Sequence, residues 1–209
     1  MNRLAKLRYL ATSALIAASL VAGQAFAMQQ PIQVTVFVHQ DVTEPVERLY
    51  DNYLAHWEAA MKNNSDREII FEYITEGNDI LTMDYKHDDE DVTTREFIKR
   101  FGWHAQANPK GGHGSLRKGL LLTQDPINSR VYGAAAELGD GGIASLYSYN
   151  AAAHELGHMF GATHENARGG WNSLCDSYMV SHRNAFKRHC YAYSEANEDA
   201  IAQHLIQLP

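Results

Sequence analysis

Hydrophobic and polar positions alternate from Gln33 to His39, a segment rich in β-branched residues, and this pattern predicts a first β-strand. From Glu44 to Met61 the apolar residues recur instead at intervals of three and four, which is typical of a helix with one buried face. The positions on that face are Val46, Leu49, Tyr50, Tyr53, Leu54 and Trp57. A second strand is predicted from Glu68 to Thr75. The order strand, helix, strand implies a right-handed crossover and a parallel pair of strands.

The middle of the chain is predicted to hold a loop, a helix and a second loop. The stretch from Asp84 to Asp91 is acidic, and a solvated loop is the favoured interpretation, although several neighbouring carboxylates could also bind calcium. A helix capped by Thr93 or Thr94 is expected to run to about Phe101. The segment Asn108 to Ser115 is rich in glycine and is predicted to be a loop.

Two more strands are expected in the second half of the chain. Gly119 to Thr123 is a short apolar run, and Arg130 to Glu137 is a longer one in which Gly133 marks a close approach of two backbones. The glycines from Gly139 to Gly142 predict a turn after the fourth strand.

Two helices complete the predicted elements. One should begin near Asn150, a good N-cap residue, and end near Phe160. The other spans Ser194 to Gln207 and is amphipathic. Its predicted inward-facing residues are Ile201, Leu205 and Ile206.

The first 27 residues have the composition of a secretory signal peptide. A basic start, formed by Arg3, Lys6 and Arg8, precedes the apolar stretch Leu10 to Val21, which is too short to span a bilayer comfortably. Ala25 and Ala27 fit the small-x-small rule, so we expect cleavage after Ala27 and export to the periplasm or the medium. An uncleaved membrane anchor is the alternative.

Residues 28–209 then form the mature chain, long enough for one domain with a sizeable core. This part contains no other stretch that is long and apolar enough to cross a membrane, so no stable insertion is expected after signal cleavage. The whole chain of 209 residues carries a formal charge of −7, which argues against nucleic-acid binding through a basic surface. Composition does not predict an oligomeric state.

The chain has two cysteines, Cys175 and Cys190. In an exported protein a pair this close in sequence predicts a disulfide bond. Ligation of zinc by these cysteines is the less favoured alternative, because three histidines elsewhere in the chain already suffice for the protein side of a zinc site.

Those histidines lie in the most specific motif of the chain, the run His154-Glu-Leu-Gly-His-Met-Phe-Gly-Ala-Thr-His164. His154 and His158 are four residues apart and therefore lie on one face of a helix, where both can bind one metal ion. Gly161 can adopt a positive φ, end the helix and turn the chain so that His164 returns as a third ligand. A helix with surface histidines and no metal is the competing interpretation, but it gives no reason for Gly161 and His164.

Three protein ligands leave a fourth zinc position open for water, as in catalytic zinc sites. Glu155, next to the first ligand, can reach such a water as a general base and is not itself a ligand. The residues therefore predict a hydrolase with one catalytic Zn²⁺, in which Glu155 assists the attack of a zinc-bound water.

The same run, HELGHMFGATH, resembles the metzincin zinc-peptidase motif HExxHxxGxxH. Metzincins also carry a methionine in a turn below the zinc, and Met179 in Ser177-Tyr-Met-Val180 is similar to that residue. Without the zinc motif, Met179 would be interpreted as an ordinary core methionine. The resemblance implies an α+β catalytic domain, α/β-like, with a twisted mixed sheet, one antiparallel edge strand, a zinc helix, a Met-turn and a C-terminal helix.

Among metzincins the chain most resembles the adamalysins, also called reprolysins. The segments that carry this likeness are Thr94–Trp103, His113–Thr123, Gly133–Ala136 and the cysteine pair that flanks Met179. The chain departs from that family at Glu165, where adamalysins usually have Asp. Ser181 takes the place of the tyrosine that contacts the metal in astacins, so the subfamily stays open.

The resemblance implies a secreted zinc metalloendopeptidase that binds a protein or peptide substrate along the edge strand Arg130 to Glu137. Two other functions stay open from the sequence. One is a catalytically inactive protein that binds zinc or a partner on the same scaffold. The other is a zinc hydrolase of a non-protein amide or of cell-wall peptide.

Overall fold

The computed structural model describes residues 29–109, 114–168, 174–181 and 188–209. The predicted signal peptide, residues 1–27, lies outside the described residues, as do positions 110–113 of the predicted glycine-rich loop. No helix within the described ranges has the length and apolar character that crossing a membrane would require.

A five-stranded sheet, in the order β2-β1-β3-β5-β4, runs through the structure. The strands are β1 (Ile32–Val38), β2 (Ile69–Ile74), β3 (Arg117–Thr123), β4 (Gly133–Ala135) and β5 (Gly141–Ser145). β1 pairs in parallel with both β2 and β3, and β3 pairs in parallel with β5. Only β4 is antiparallel, and it forms one edge of the sheet. The predicted parallel pair of the first two strands is confirmed, and so is a mixed α/β fold with one antiparallel edge strand.

Two predictions at this edge are wrong. The fourth strand covers only Gly133–Ala135 instead of Arg130 to Glu137. Gly141 and Gly142, predicted to lie in a turn, begin the buried strand β5, and the turn lies at positions 137–138. The glycines serve close packing rather than turning, because a Cβ at Gly142 would lie only 2.7 Å from the Cβ of Ala135.

The first helical stretch occupies the predicted region but is not a uniform α-helix. It consists of α1 (Val46–Leu49), a π-helical segment (Tyr50–Leu54) and α2 (Ala55–Lys62). The wider turn shows in the hydrogen bond from the Ala55 N–H to the carbonyl of Tyr50, five residues earlier.

The helix α3 (Glu90–Ala107) is longer than predicted at both ends. Its N-cap is Asp89, whose carboxylate accepts the Asp91 N–H, and the predicted caps Thr93 and Thr94 lie inside the helix. The end of the acidic stretch is therefore helix rather than loop, because carboxylates in a first turn interact favourably with the helix dipole.

The last two helices lie close to their predicted bounds, as α4 (Ala151–Met159) and α5 (Glu195–Ile206). Ser194 caps α5 by accepting the Asn197 N–H. Ile201 and Leu205 are buried as predicted, but Ile206 is 81% exposed, so its predicted inward position is wrong. Two short parallel strands, β6 (Cys175–Asp176) and β7 (Arg188–His189), lie between these helices in the chain. The predicted disulfide between Cys175 and Cys190 is present.

The core has two halves, one on each face of the sheet. Alternate residues of β1, among them Val34 and Val36, belong to the half that also includes Trp57 of α2, Leu156 of α4 and Ile201 of α5. The other half contains Phe37 together with Phe97 and Phe101 of α3. The helices thus cover both faces of the sheet, and α4 packs on the face that does not contact α3's aromatic side chains.

Candidate metal centre

The histidine motif lies on α4, which can approach the sheet closely because its first turn is built from alanines. Ala151, Ala152 and Ala153 are all buried, and Leu156 and Met159 continue the buried face. His154 and His158 are one turn apart on the same helix and are less buried than these residues. The predicted pairing of the two histidines along one helix face is therefore present.

A sharp turn after α4 brings the third histidine back towards the helix. Gly161 has a φ of 93°, as the sequence predicted, and the Ala162 N–H donates to the carbonyl of Gly157 at 2.9 Å. The following residue, Thr163, is held by the side chain of Asn197 in α5. Asn197 Oδ1 accepts the Thr163 N–H at 2.8 Å, and Asn197 Nδ2 donates to the Thr163 carbonyl at 3.1 Å.

The three imidazoles of His154, His158 and His164 converge through their Nε2 atoms. These atoms are 3.2 Å apart for His154 and His158, 3.2 Å for His158 and His164, and 2.9 Å for His154 and His164. Tetrahedral zinc with nitrogen ligands at about 2.0–2.1 Å separates its ligand atoms by roughly 3.3 Å. The three nitrogen atoms and their spacing therefore fit one zinc ion. His164 is exposed, so the place where the ion would bind is open to solvent.

Carbonyl groups fix the tautomers of the first two histidines. His154 Nδ1 lies 2.7 Å from the carbonyl oxygen of Tyr178, and His158 Nδ1 lies 3.0 Å from that of Ala162. A carbonyl oxygen only accepts, so each Nδ1 carries the proton and donates it. The lone pair on each Nε2 then points towards the common centre, as a metal ligand requires.

The protonation of these rings also suits a metal. Burial is the main cause that lowers the pKa of His154 to about 3, with smaller contributions from the neighbouring imidazoles. Burial and the neighbouring His164 lower the pKa of His158 to about 4. Both rings are therefore neutral near pH 7, which is the form that binds zinc.

Glu155, the predicted general base, is buried between α4 and the edge strand β4. Its side chain is so close to Gly133 that a Cβ there would lie 2.6 Å from Glu155 Oε1. Burial raises the pKa of this carboxyl group well above its usual value. A divalent cation at the histidines would favour the charged form and act in the opposite direction.

Met179 packs against α4 and is completely buried. A Cβ at Gly157 would be only 2.8 Å from Met179 Sδ, so glycine is what allows the helix and the methionine to touch. The preceding residue, Tyr178, supplies the carbonyl that orients His154. The sequence predicted the methionine but not the roles of Gly157 and Tyr178.

Asn197 was also missed, although the sequence carries a signal for it. The amphipathic face of α5 includes positions 197, 201 and 205, and a polar residue on such a face must find a hydrogen-bonding partner inside the protein. Asn197 is 0% exposed and finds that partner next to His164.

The acidic stretch Asp84 to Asp91 does not form a comparable site. Within the described ranges, the three histidines are the group of potential ligands that gathers closely enough to hold an ion. Asp89 instead caps α3, which is a structural use of the acidic residues. Glu165 and Ser181, where the chain departs from the families it resembles, are both exposed.

No family model matches the chain, and the search of curated proteins found no significant match.

Proposed function

We propose that this chain is an exported zinc-dependent endopeptidase of the metzincin type. The observation that carries the proposal is the convergence of His154, His158 and His164. Glu155, the residue after the first of them, lies on the same helix and is buried. The buried methionine below the helix, the glycine turn and the antiparallel edge strand support the same class of enzyme.

Zinc held by the three histidines would supply a Lewis acid, which activates water near neutral pH and stabilises negative charge on a carbonyl oxygen. Glu155 takes the proton from the attacking water and passes it to the leaving amine. The carbonyls of Tyr178 and Ala162 keep the first two imidazoles in one tautomer and one orientation during the reaction.

The substrate is proposed to be an extended peptide that pairs with the edge strand β4. β4 is bonded to β5 on one side and lies at the end of the described sheet on the other. Its residues, Gly133, Ala134 and Ala135, have small side chains that let another backbone approach. Main-chain hydrogen bonds to such an edge bind a peptide next to Glu155, which packs against Gly133.

Export is part of the proposal. The basic and apolar pattern of the first 27 residues supports a signal peptide, and the disulfide between Cys175 and Cys190 supports an oxidising compartment such as the periplasm or the medium.

The decisive test is cleavage of a mixed peptide library by the purified protein, with and without a zinc chelator. We expect cleavage that the chelator abolishes and that added zinc restores. Zinc binding without cleavage of any peptide would favour the inactive scaffold. Cleavage limited to cell-wall peptide or to small amides would favour the alternative hydrolase.

A further inference from the structure

His56, on the helix α2, connects two segments that are far apart in sequence. Its Nε2 lies 3.0 Å from the carbonyl oxygen of Tyr149, and its Nδ1 lies 2.7 Å from the hydroxyl of Tyr178. The carbonyl requires a proton on Nε2, so Nδ1 is the acceptor for the Tyr178 hydroxyl in the neutral ring. Burial lowers the pKa of His56, which favours that neutral form.

Both ends of this bridge lead to the metal ligand His154. Tyr149 immediately precedes Asn150, and the Asn150 carbonyl accepts the backbone N–H of His154 at 2.9 Å. At the other end, the Tyr178 carbonyl accepts His154 Nδ1–H at 2.7 Å. His56 thus contacts both segments that bond to His154. One segment accepts the backbone N–H of His154, and the other accepts the N–H of its ring.

Aromatic packing keeps the bridge in place. The ring of Tyr53, one turn before His56, stacks on the ring of Tyr149 with centroids 5.3 Å apart. The ring of His56 stacks on that of Tyr178 at 5.5 Å, and the rings of His56 and Tyr191 form a T-shaped contact at 5.2 Å. The π-helical segment Tyr50–Leu54 directly precedes this part of α2 and includes Tyr53. Departures of this kind from α-helical geometry are frequent at functional sites.

We propose that His56 is a positioning residue of the metal centre: it fixes the Tyr178 segment against the start of α4 and thereby sets the orientation of His154. The inference rests on zinc binding at the three histidines, which is part of the proposed function. His56 lies nearly a hundred positions before His154, and the proposal adds it to the residues that orient the zinc ligands.

Zinc affinity is the measurement that tests this role, by competition with a chromogenic chelator. Tyr178→Phe removes the hydroxyl but keeps the ring and the carbonyl that contacts His154. We expect Tyr178→Phe and His56→Ala each to weaken zinc binding about tenfold, the lower end of the range for residues that orient a ligand. The zinc affinity of the double variant should lie within about twofold of that of His56→Ala, because both substitutions break the same hydrogen-bonded bridge. His56→Gln, which offers an acceptor and a donor, should restore part of the affinity.

His104→Ala is the matched control, because His104 of α3 is also partly buried, bonds to the Asn78 side chain and contacts an aromatic ring, that of Phe37. It should change the stability of the metal-free protein but leave zinc affinity unchanged. Equal zinc affinity in wild type, His56→Ala and Tyr178→Phe would overturn the positioning role while leaving the proposed enzyme intact. Equal losses in the control would also overturn it. A wild-type protein that binds no zinc would remove both proposals.

Discussion

At the scale of single residues, the proposed function divides the motif His154 to His164 into zinc ligands, a general base and residues that shape the backbone. His154 and His158 are neutral near pH 7 and are oriented by backbone carbonyls, whereas Glu155 faces the edge strand and has a pKa raised by burial. Gly157 and Gly161 have no side-chain chemistry, but one lets Met179 touch the helix and the other turns the chain. The different roles of neighbouring residues can therefore be separated by substitution.

Glu155→Gln tests the division between base and ligand. The amide keeps the size of the side chain but cannot accept the proton of the attacking water. We expect the rate of peptide hydrolysis to fall by ~10²-fold to 10⁴-fold or more, whereas the zinc content stays near one ion per chain. Zinc content is measured by atomic absorption and activity on a peptide found with the library.

His158→Ala is the companion variant, and it should lose both zinc and activity. If Glu155→Gln lost its zinc and kept the activity per bound ion, Glu155 would be a ligand and not the base.

At the scale of elements, α5 supports the candidate metal centre without contributing one of its three histidines. Its inward face combines the apolar residues Ile201 and Leu205 with Asn197, whose amide holds both polar backbone groups of Thr163. The turn before His164 is therefore attached to a helix that begins only at Glu195. A periodic pattern predicted that helix and its bounds within a residue or so, but not which loop its one polar inward residue contacts.

Asn197→Ala should loosen this attachment. It leaves the N–H and carbonyl of Thr163 without their partner, at a cost of about 2–3 kcal/mol in the free energy of unfolding. Because the freed turn carries His164, zinc affinity should fall about tenfold as well. Urea denaturation of the metal-free protein and chelator competition measure the two effects separately.

Asn64→Ala is the control, since Asn64 also uses its side-chain amide on a backbone carbonyl, that of Ala60, but at the end of α2. It should leave zinc binding unchanged. A wild-type zinc affinity in Asn197→Ala would show that the turn holds His164 in place without α5.

At the scale of the whole molecule, Arg67 joins the two ends of the described chain. Its guanidinium donates to the carbonyl of Gln30, before β1, at 2.8 Å. It also donates to three carbonyls at or after the end of α5, those of Leu205, Leu208 and Pro209. Arg67 is 5% exposed, and its charged hydrogen bonds connect the segment before β1 with the residues at the end of α5.

Arg67→Met should keep the volume and lose the donors. We expect a decrease of about 2–4 kcal/mol in the free energy of unfolding, because four backbone carbonyls lose a charged hydrogen-bond donor. The exposed Arg95, which pairs with Asp91 at 3.8 Å, provides the comparison, and Arg95→Met should change stability by less than about 1 kcal/mol. Urea denaturation followed by circular dichroism measures the free energy of unfolding of both variants. Equally small decreases in the two variants would mean that water replaces the hydrogen bonds of Arg67.

Local patterns were sufficient for much of the protein. Alternation and helical periodicity predicted β1, the region of the first helix, α4 and α5, and the spacing of His154, His158 and His164 predicted three side chains that the structure brings together. The disulfide followed from the number and spacing of cysteines. These features depend on residues that are close in sequence, where backbone geometry alone decides which side chains meet.

The other features of the fold and the site depend on tertiary packing and became visible only in the structure. Gly141 and Gly142 look like turn residues, yet they lie in a buried strand, where a Cβ would meet the Phe97 ring at 3.0 Å and the Ala135 Cβ at 2.7 Å. The contacts of His56 with Tyr178 and of Asn197 with Thr163 join residues 122 and 34 positions apart. No local pattern encodes such pairs, because they form only when the packing of the sheet and its helices has fixed where each segment lies.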